Sequence, residues 1–502
     1  MRSTVLSLTL ATGGVKRLTC VFVAHPGAPR THGAVDRADA AEIIGQQTKS
    51  LDQEGPHMIP DVDVAVVGAG LAGLTAARAL RAAGRGVVVF EARDRVGGRT
   101  WSRPLPGGAV VDHGGQWIGP GQDRIALLAE ELGVTTFPTY SGGETRYSIA
   151  GRGRTEMPEA DQALQELDRL AASLPPEEPW TAPSAAEWDA QTLQTWILSH
   201  VTDPASRALL RVLTTGIFTA EPDELSLLHA LVYIRSAGSL TALLQDAQER
   251  RFTGGAQTVA ERIAAELGPE TVRLDRPVLA IEQSVDGAAV RTGGDGAGGV
   301  LARRVIVAVP IAIADRIAFS PPLPVPRAQL HQRAAPGATI KAHAVYDRPF
   351  WREHDSNGRS LTDDGPVSVT FDDSPPSGTP GILVAFVEGD EARRLGALDA
   401  PARRAAVLDR LAATFGPEAA EPREYTEVSW SAEEWTRGCY GSNLPPGAWT
   451  RYGAALREPC GHVHWAGAET SVIWMNYMEG AVRSGERAAA QVLASLSRPR
   501  SA

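Results

Sequence analysis

Residues 62–102, VDVAVVGAGLAGLTAARALRAAGRGVVVFEARDRVGGRTWS, decide the fold. Val62, Val64, Val66 and Val67 form a β-branched run that predicts a buried parallel strand, and it ends in Gly68-Ala69-Gly70-Leu71-Ala72-Gly73. Glycines at such a turn let the backbone bend tightly and approach a pyrophosphate with no Cβ in the way. Residues 71–83 are rich in Ala, Leu and Arg, which predicts a helix whose N-terminal N–H groups and dipole face the phosphates. Gly84 ends it, residues 87–90 predict a second strand, and Glu91 follows eighteen residues after Gly73. A carboxylate at that place can accept both hydroxyl hydrogens of an adenosine ribose. Strand, glycine turn, helix, strand and acid in this order read as a dinucleotide-binding α/β unit.

A second stretch, Gly294-Asp295-Gly296-Ala297-Gly298-Gly299, satisfies the same letter pattern. Residues 300–309 after it are β-branched instead of helix-forming, so it reads as a hairpin loop. No second nucleotide site is found, which counts against a flavin monooxygenase or disulfide reductase working with a nicotinamide cofactor.

Past the acid, Glu91-Ala92-Arg93-Asp94-Arg95-Val96-Gly97-Gly98-Arg99-Thr100 resembles the signature of the flavin-dependent amine oxidase family. Asp112-His113-Gly114-Gly115-Gln116-Trp117-Ile118-Gly119-Pro120 is similar to that family's next segment. At the other end, Trp430, Arg437-Gly438-Cys439-Tyr440, Pro445-Pro446-Gly447, His464-Trp465-Ala466-Gly467-Ala468-Glu469-Thr470, Tyr477-Met478-Glu479-Gly480-Ala481-Val482 and Ser484-Gly485-Glu486 resemble the monoamine oxidases in order and spacing. The similarity covers about residues 60 to 495.

The resemblance implies FAD. Gly68, Gly70, Leu71, Ala72 and Gly73 would form its phosphate turn, and Glu91, Ala92 and Arg93 would receive the adenosine end. Gly97 and Gly98 would pass close to the diphosphate, with Arg99 helping to neutralise it. Gly115, Gln116 and Trp117 would lie along the flavin ring, with Val278, Trp430 and Cys439 also in contact with the cofactor. Gly467, Glu469, Tyr477 and Met478 would close the site from the C-terminal segment. Cys439 falls where mitochondrial monoamine oxidases join the flavin through a thioether, and covalent attachment stays open here.

By the same resemblance, Tyr440 and Tyr477 flank the substrate amine with electron-rich ring faces. Lys341, within the apolar alternation Ile340-Lys341-Ala342-His343-Ala344, would hold a water near flavin N5 and assist reoxidation by dioxygen; an edge-strand lysine turned to solvent is the plainer alternative. Trp117 and Gln248 would line the substrate cavity, and Val369 would replace a bulkier aromatic gate. The implied reaction takes a small amine to an imine, then aldehyde and ammonia, while dioxygen becomes hydrogen peroxide. Alternatives are an L-amino-acid oxidase, with an arginine such as Arg235 on the α-carboxylate, and a polyamine or putrescine oxidase, with Glu221 or Asp246 receiving a second cation. A flavin-binding scaffold without catalysis is a distant third.

The expected fold is α/β: a Rossmann-like FAD-binding domain interleaved with an α+β substrate domain, the architecture of the amine oxidases and of flavoproteins like the glucose–methanol–choline reductases. Length exceeds one core, so the flavin domain should collect residues 60–136, 253–330 and 433–497, and the substrate domain 137–252 and 331–432. Strands are expected at 272–278, 305–309 and 456–467, helices at 161–174, 192–250 and 480–493, and sheet from 341 to 387. Residues 1–57 fit none of this and read as a disordered extension or a mis-assigned start.

A net charge of −10 with dispersed arginines argues against nucleic acid as a partner. No run of about 18 apolar residues occurs, and the chain stops at Ser501-Ala502 where mitochondrial relatives continue into an anchoring tail. No membrane anchor is therefore expected. Three cysteines, Cys20, Cys439 and Cys460, make no disulfide framework and fit a reducing cytoplasm. No metal is expected, and a homodimer is allowed.

Overall fold

The computed structural model describes residues 60–154, 157–294 and 297–497, together with two short strands nearer the N-terminus. The chain divides into two units, Met1–Met58 and Ile59–Ala502. Within the first, Leu6–Thr9 pairs antiparallel with Thr19–Phe22. The rest of that unit, and with it most of the expectation for residues 1–57, lies outside the described residues.

In the second unit the strand Val62–Val67 sits inside an eight-stranded sheet. It pairs in parallel with Val87–Phe90 on one side and Gly298–Val307 on the other. Both its faces are covered: Val64 and Val66 pack with Leu74, Leu80 and Val482, and Ala65 and Val67 with Val305, Val307 and Trp465. That double burial is why the run is β-branched throughout instead of alternating. The helix Leu71–Ala82 follows the glycine turn. A Cβ on Gly73 would stand 2.0 Å from the Gly68 carbonyl oxygen, so the third glycine serves close packing of helix on strand. Gly485 lets the closing helix Met478–Ser497 approach in the same way, where a Cβ would meet the Ala72 carbonyl at 2.3 Å.

The hairpin expected at the second glycine run is present, with Ala288–Thr292 antiparallel to Gly298–Val307. Two strand expectations need correction. Residues 272–278 split into Val272–Arg273, parallel to Val87–Phe90, and Val278–Gln283, paired with the hairpin. The break falls at Asp275, whose φ of 52° cannot continue an extended strand. The strand at 456–467 shrinks to Val463–Trp465, because only these residues reach the end of Gly298–Val307 for pairing.

A seven-stranded sheet runs in the order Arg152–Arg154, Glu144–Ile149, Ser356–Thr362, Val369–Asp372, Gly381–Glu388, Thr339–Tyr346, Glu424–Ser429. One face carries Ile340, Ala342 and Ala344 against Leu395, Val407 and Leu411 of the helices Gly389–Gly396 and Ala400–Phe415. The other face turns Lys341, Phe386 and Val369 toward a cavity. Above that cavity stand the helices Pro204–Phe218 and Leu227–Ala237, each started by a side-chain cap: Asp203 accepts from Ser206 N, and Ser226 from His229 N. The helical expectation for 192–250 is too long. Its end turns into the strand Arg250–Phe252, held between Trp117–Ile118 and Thr136–Pro138.

Candidate active site

A cavity runs from the glycine turn to the face of the seven-stranded sheet that bears Lys341 and Phe386. At the first end, Gly68, Gly70, Leu71 and Ala72 form one wall, and Gly97 and Gly98 another. The two turns are stitched together by a hydrogen bond from Gly97 N to Ala69 O at 2.9 Å. A Cβ on Gly70 would meet nothing nearer than the Gly97 oxygen at 4.0 Å, so its open side faces only the cavity. No side chain caps the helix beginning at Leu71, which leaves its first N–H groups for an anion. Glu91 is buried beside the turn, its Oε2 accepting from Ala69 N at 2.7 Å and its Oε1 from Arg93 N at 3.1 Å. A dinucleotide fits this cradle: a side-chain-free turn, an uncapped helix start and a buried acid lie in line along one cavity.

Ala92, Arg93, Arg99, Val278, Gly467 and Met478 also line the cavity. Arg93 donates from Nε to Glu433 at 3.1 Å, a partner 340 residues away that no local pattern reveals. Arg99 forms a bidentate pair with Glu469, at 2.7 and 2.9 Å, and also donates to the Tyr440 carbonyl at 2.6 Å. Its charge is therefore already balanced, and Glu469 stands behind Arg99 instead of on the wall. Trp430 also departs from expectation. It does not line the cavity; its Nε1 donates to His113 O at 2.9 Å and its ring packs edge-on to Trp101. Gly73 packs helix on strand, as described above, and does not line the cavity.

In the middle of the cavity lie Gly115, Gln116, Trp117 and Lys341. The strand that bears Lys341 is paired on both sides, so the edge-strand alternative is excluded. Lys341 Nζ donates to Gly114 O at 2.8 Å and to Gln116 Oε1, and stands 5.2 Å from the Trp117 ring. Burial pushes this ammonium down to about 8, against the opposing pull of Asp373 and Asp112. Asp373, completely buried, accepts from Gln116 Nε2 at 2.6 Å and pairs with Arg251 at 3.0 Å. It was not foreseen from sequence. Only the fold brings residues 116, 251, 341 and 373 together.

At the far end the cavity is walled by Tyr440, Tyr477, Cys439, Gln248, Val369 and Phe371. Tyr477 is wedged against Trp474, ring centroids 4.8 Å apart, and against Tyr233 at 6.2 Å. Tyr440 lies edge-on to Phe386 and donates its hydroxyl to Glu388 at 2.8 Å. Glu388, another residue missed by sequence reading, is buried in the wall and also accepts from Ser368 at 2.6 Å. Burial pushes its carboxyl up to about 7. Burial likewise pushes the Cys439 thiol up to about 12. The candidates for the alternative activities lie elsewhere. Arg235 borders a small separate pocket and donates to Leu174 O at 3.3 Å, Glu221 pairs with Arg211 at 2.8 Å, and Asp246 is absent from the wall.

A family model described as flavin containing amine oxidoreductase matches residues 71–493, and one described as pyridine nucleotide-disulphide oxidoreductase matches residues 3–105. The putrescine oxidase of Kocuria rosea is 38% identical over 454 residues, covering 86% of this chain and 95% of that protein. The human amine oxidase [flavin-containing] B is 36% identical over 449 residues, covering 86% of each chain. Among solved structures, the cyclohexylamine oxidase from Brevibacterium oxydans superposes with a TM-score of 0.83 at 36% identity, over 88% of this chain and all of that one.

Proposed function

The chain belongs to the flavin-containing amine oxidoreductases, and on that premise we propose that Tyr440, Tyr477 and Lys341 carry the amine half of its chemistry. The protein is an FAD-dependent amine oxidase, converting amines to imines and onward to aldehyde and ammonia with dioxygen as acceptor. FAD, when bound, takes the hydride equivalent from the substrate and passes electrons to dioxygen, giving hydrogen peroxide. The protein's own residues bind, orient and exclude water.

One observation carries the assignment of roles: both tyrosines, fixed by different neighbours, stand in the same cavity wall as a buried lysine, beyond the glycine cradle. Tyr440 is oriented through its hydroxyl on Glu388, and Tyr477 through its ring contacts with Trp474 and Tyr233. Their electron-rich faces favour an amine between them. Lys341 is an ammonium whose burial lowers its pKa to about 8, with Gln116 and the Gly114 carbonyl fixing its Nζ. Trp117, Gln248 and Val369 are proposed to bound the substrate. Val369 is the small wall that leaves room for bulky amines. No residue is assigned as a strong general base.

The nucleotide cradle is proposed to hold the adenosine diphosphate part of FAD, and Cys439 to stand at its ring end. Acid precipitation of the parent and of Cys439→Ala decides whether that cysteine carries the flavin: colour retained only by the parent assigns the bond to it. The partition into residues 60–136, 253–330 and 433–497 for cofactor and 137–252 and 331–432 for substrate is proposed on the same grounds. Strands of the eight-stranded sheet all fall in the first set, and strands of the seven-stranded sheet in the second. No single helix among the described residues is long and apolar enough to cross a membrane. A cytoplasmic site of action is supported by the few cysteines, and light scattering decides between a monomer and a homodimer. The reaction itself is tested by anaerobic bleaching of the yellow protein across a panel of amines, amino acids and polyamines. A protein that none of them bleaches would be a flavin-binding scaffold.

A further inference from the structure

The floor of the substrate half of the cavity is a patch of the seven-stranded sheet, and strand register fixes what stands where. Leu361 is opposite Val369, Val369 opposite Phe386, and Phe386 opposite Lys341. Side chains two apart along a strand share a face. Arg359, two residues before Leu361, therefore flanks this apolar row on one side, and Glu388, two residues after Phe386, flanks it on the other. Both line the cavity. The floor thus carries a guanidinium at one margin and a titratable carboxyl at the other, with hydrocarbon between them.

The two margins differ in how they are satisfied. Glu388 is bonded to Tyr440 and Ser368 and stands beside the tyrosine that meets the amine. Arg359 donates from Nη2 to Leu244 O at 2.8 Å and lies 5.3 Å from the centre of the Phe371 ring. Its buried Nε has no hydrogen-bond partner, and among the described residues no carboxylate is found close enough to pair with it or to shift its charge. Two other half-buried arginines along this cavity, Arg93 and Arg99, are each matched to a glutamate. An arginine stays protonated in any such setting, and an unbalanced buried charge is costly. A guanidinium held over an aromatic ring, with donors unspent, is suited to an incoming anion.

We propose that Arg359 is a subsite for an anionic group at the far end of the substrate, so that the preferred amines carry a carboxylate, sulfonate or phosphate many bonds from the oxidised C–N bond. Lys341 and Arg359 are three strand spacings across and two residues along the sheet, about 16 Å between their backbones. An α-amino acid carries its carboxylate one carbon from the amine, so on this proposal it is a poorer substrate than an amine whose anion lies many bonds away. A diamine would bring a second cation toward the guanidinium and is disfavoured. The proposal rests on the amine-oxidase reading and adds to it the chemistry of the substrate's tail.

The test is a matched series of long, linear primary amines ending in a carboxylate, its methyl ester or an ammonium, followed by anaerobic flavin reduction. The carboxylate-tailed amine should be favoured over its ester by about tenfold or more in kcat/KM, corresponding to about 1.4 kcal/mol. Arg359→Gln should raise the KM for that substrate by a similar factor, leave kcat unchanged, and leave the ester within about threefold. Arg359→Lys should keep part of the preference. Equal use of carboxylate and ester by the parent, or an undiminished preference in Arg359→Gln, overturns the subsite. The parent's own selectivity decides even where a variant fails to fold. Failure of every amine in the series to bleach the flavin would instead strike at the amine-oxidase reading itself.

Discussion

At the nucleotide end the cavity is walled by main chain, the glycine turns at Gly68 to Gly70 and Gly97 to Gly98 and the uncapped start of the helix Leu71–Ala82, whereas at the amine end it is walled by side chains. The first wall comes from about thirty consecutive residues, and its chemistry, N–H groups facing a diphosphate, is the same for any sequence that makes the turn. The second is assembled from strands and helices hundreds of residues apart, and each of its groups depends on the others for orientation. A main-chain site tolerates change anywhere except where a Cβ would intrude. A side-chain site is graded, each substitution removing one contact.

The sharpest way to break this contrast is at the glycines. Gly70→Val should fold, because nothing in the protein occupies the space before it, yet purify with nearly all its flavin lost. Gly73→Ala should fail earlier, since its Cβ would overlap the Gly68 carbonyl, and circular dichroism with thermal melting would show a destabilised fold. A fully yellow Gly70→Val protein would remove the main-chain account of the nucleotide end.

Next in size is the tyrosine pair. Tyr440→Leu or Tyr477→Leu should slow flavin reduction by amines about tenfold or more, about 1.4 kcal/mol of transition-state stabilisation, with FAD still bound. Phenylalanine at either position keeps the ring face and should retain most of the rate. Stopped-flow rates that are equal for the two substitutions would show that the rings act as walls alone.

A smaller effect is expected at Glu388. Its carboxyl, pushed up to about 7 by burial, is neutral below that pH and anionic above it. Inhibition by a quaternary ammonium ion should therefore tighten several-fold as pH rises through about 7, and Glu388→Gln should flatten that slope. A slope that persists unchanged in the variant assigns the titration to another group.

The smallest effect concerns a local device in the amine half. Ser226 caps its helix by accepting from His229 N at 3.0 Å, so Ser226→Ala should cost about 1 kcal/mol of stability with turnover unaffected. Denaturant unfolding beside an activity assay checks both parts, and a loss of activity at full stability would give this residue a role beyond capping.

The sequence by itself determined the α/β class, the dinucleotide turn, the flavin and the family. Each depends on residues contiguous in the chain, where a few glycines, a β-branched run and an acid at fixed spacing dictate local geometry. The cavity positions of Tyr440, Tyr477, Lys341, Gln248 and Val369 were also legible, because motif resemblance carries position even where physics does not. Trp430 was not, since a matching tryptophan says nothing of which side of the wall it faces. Tertiary structure alone decided the rest. It set Glu433 on Arg93, Glu469 on Arg99, Asp373 behind Lys341 through Gln116, and Arg359 and Glu388 at opposite margins of one sheet face. The reason is register. Which residues face each other across strands is settled by the pairing of distant segments, and a slip of one residue would turn every one of these charges away from the cavity.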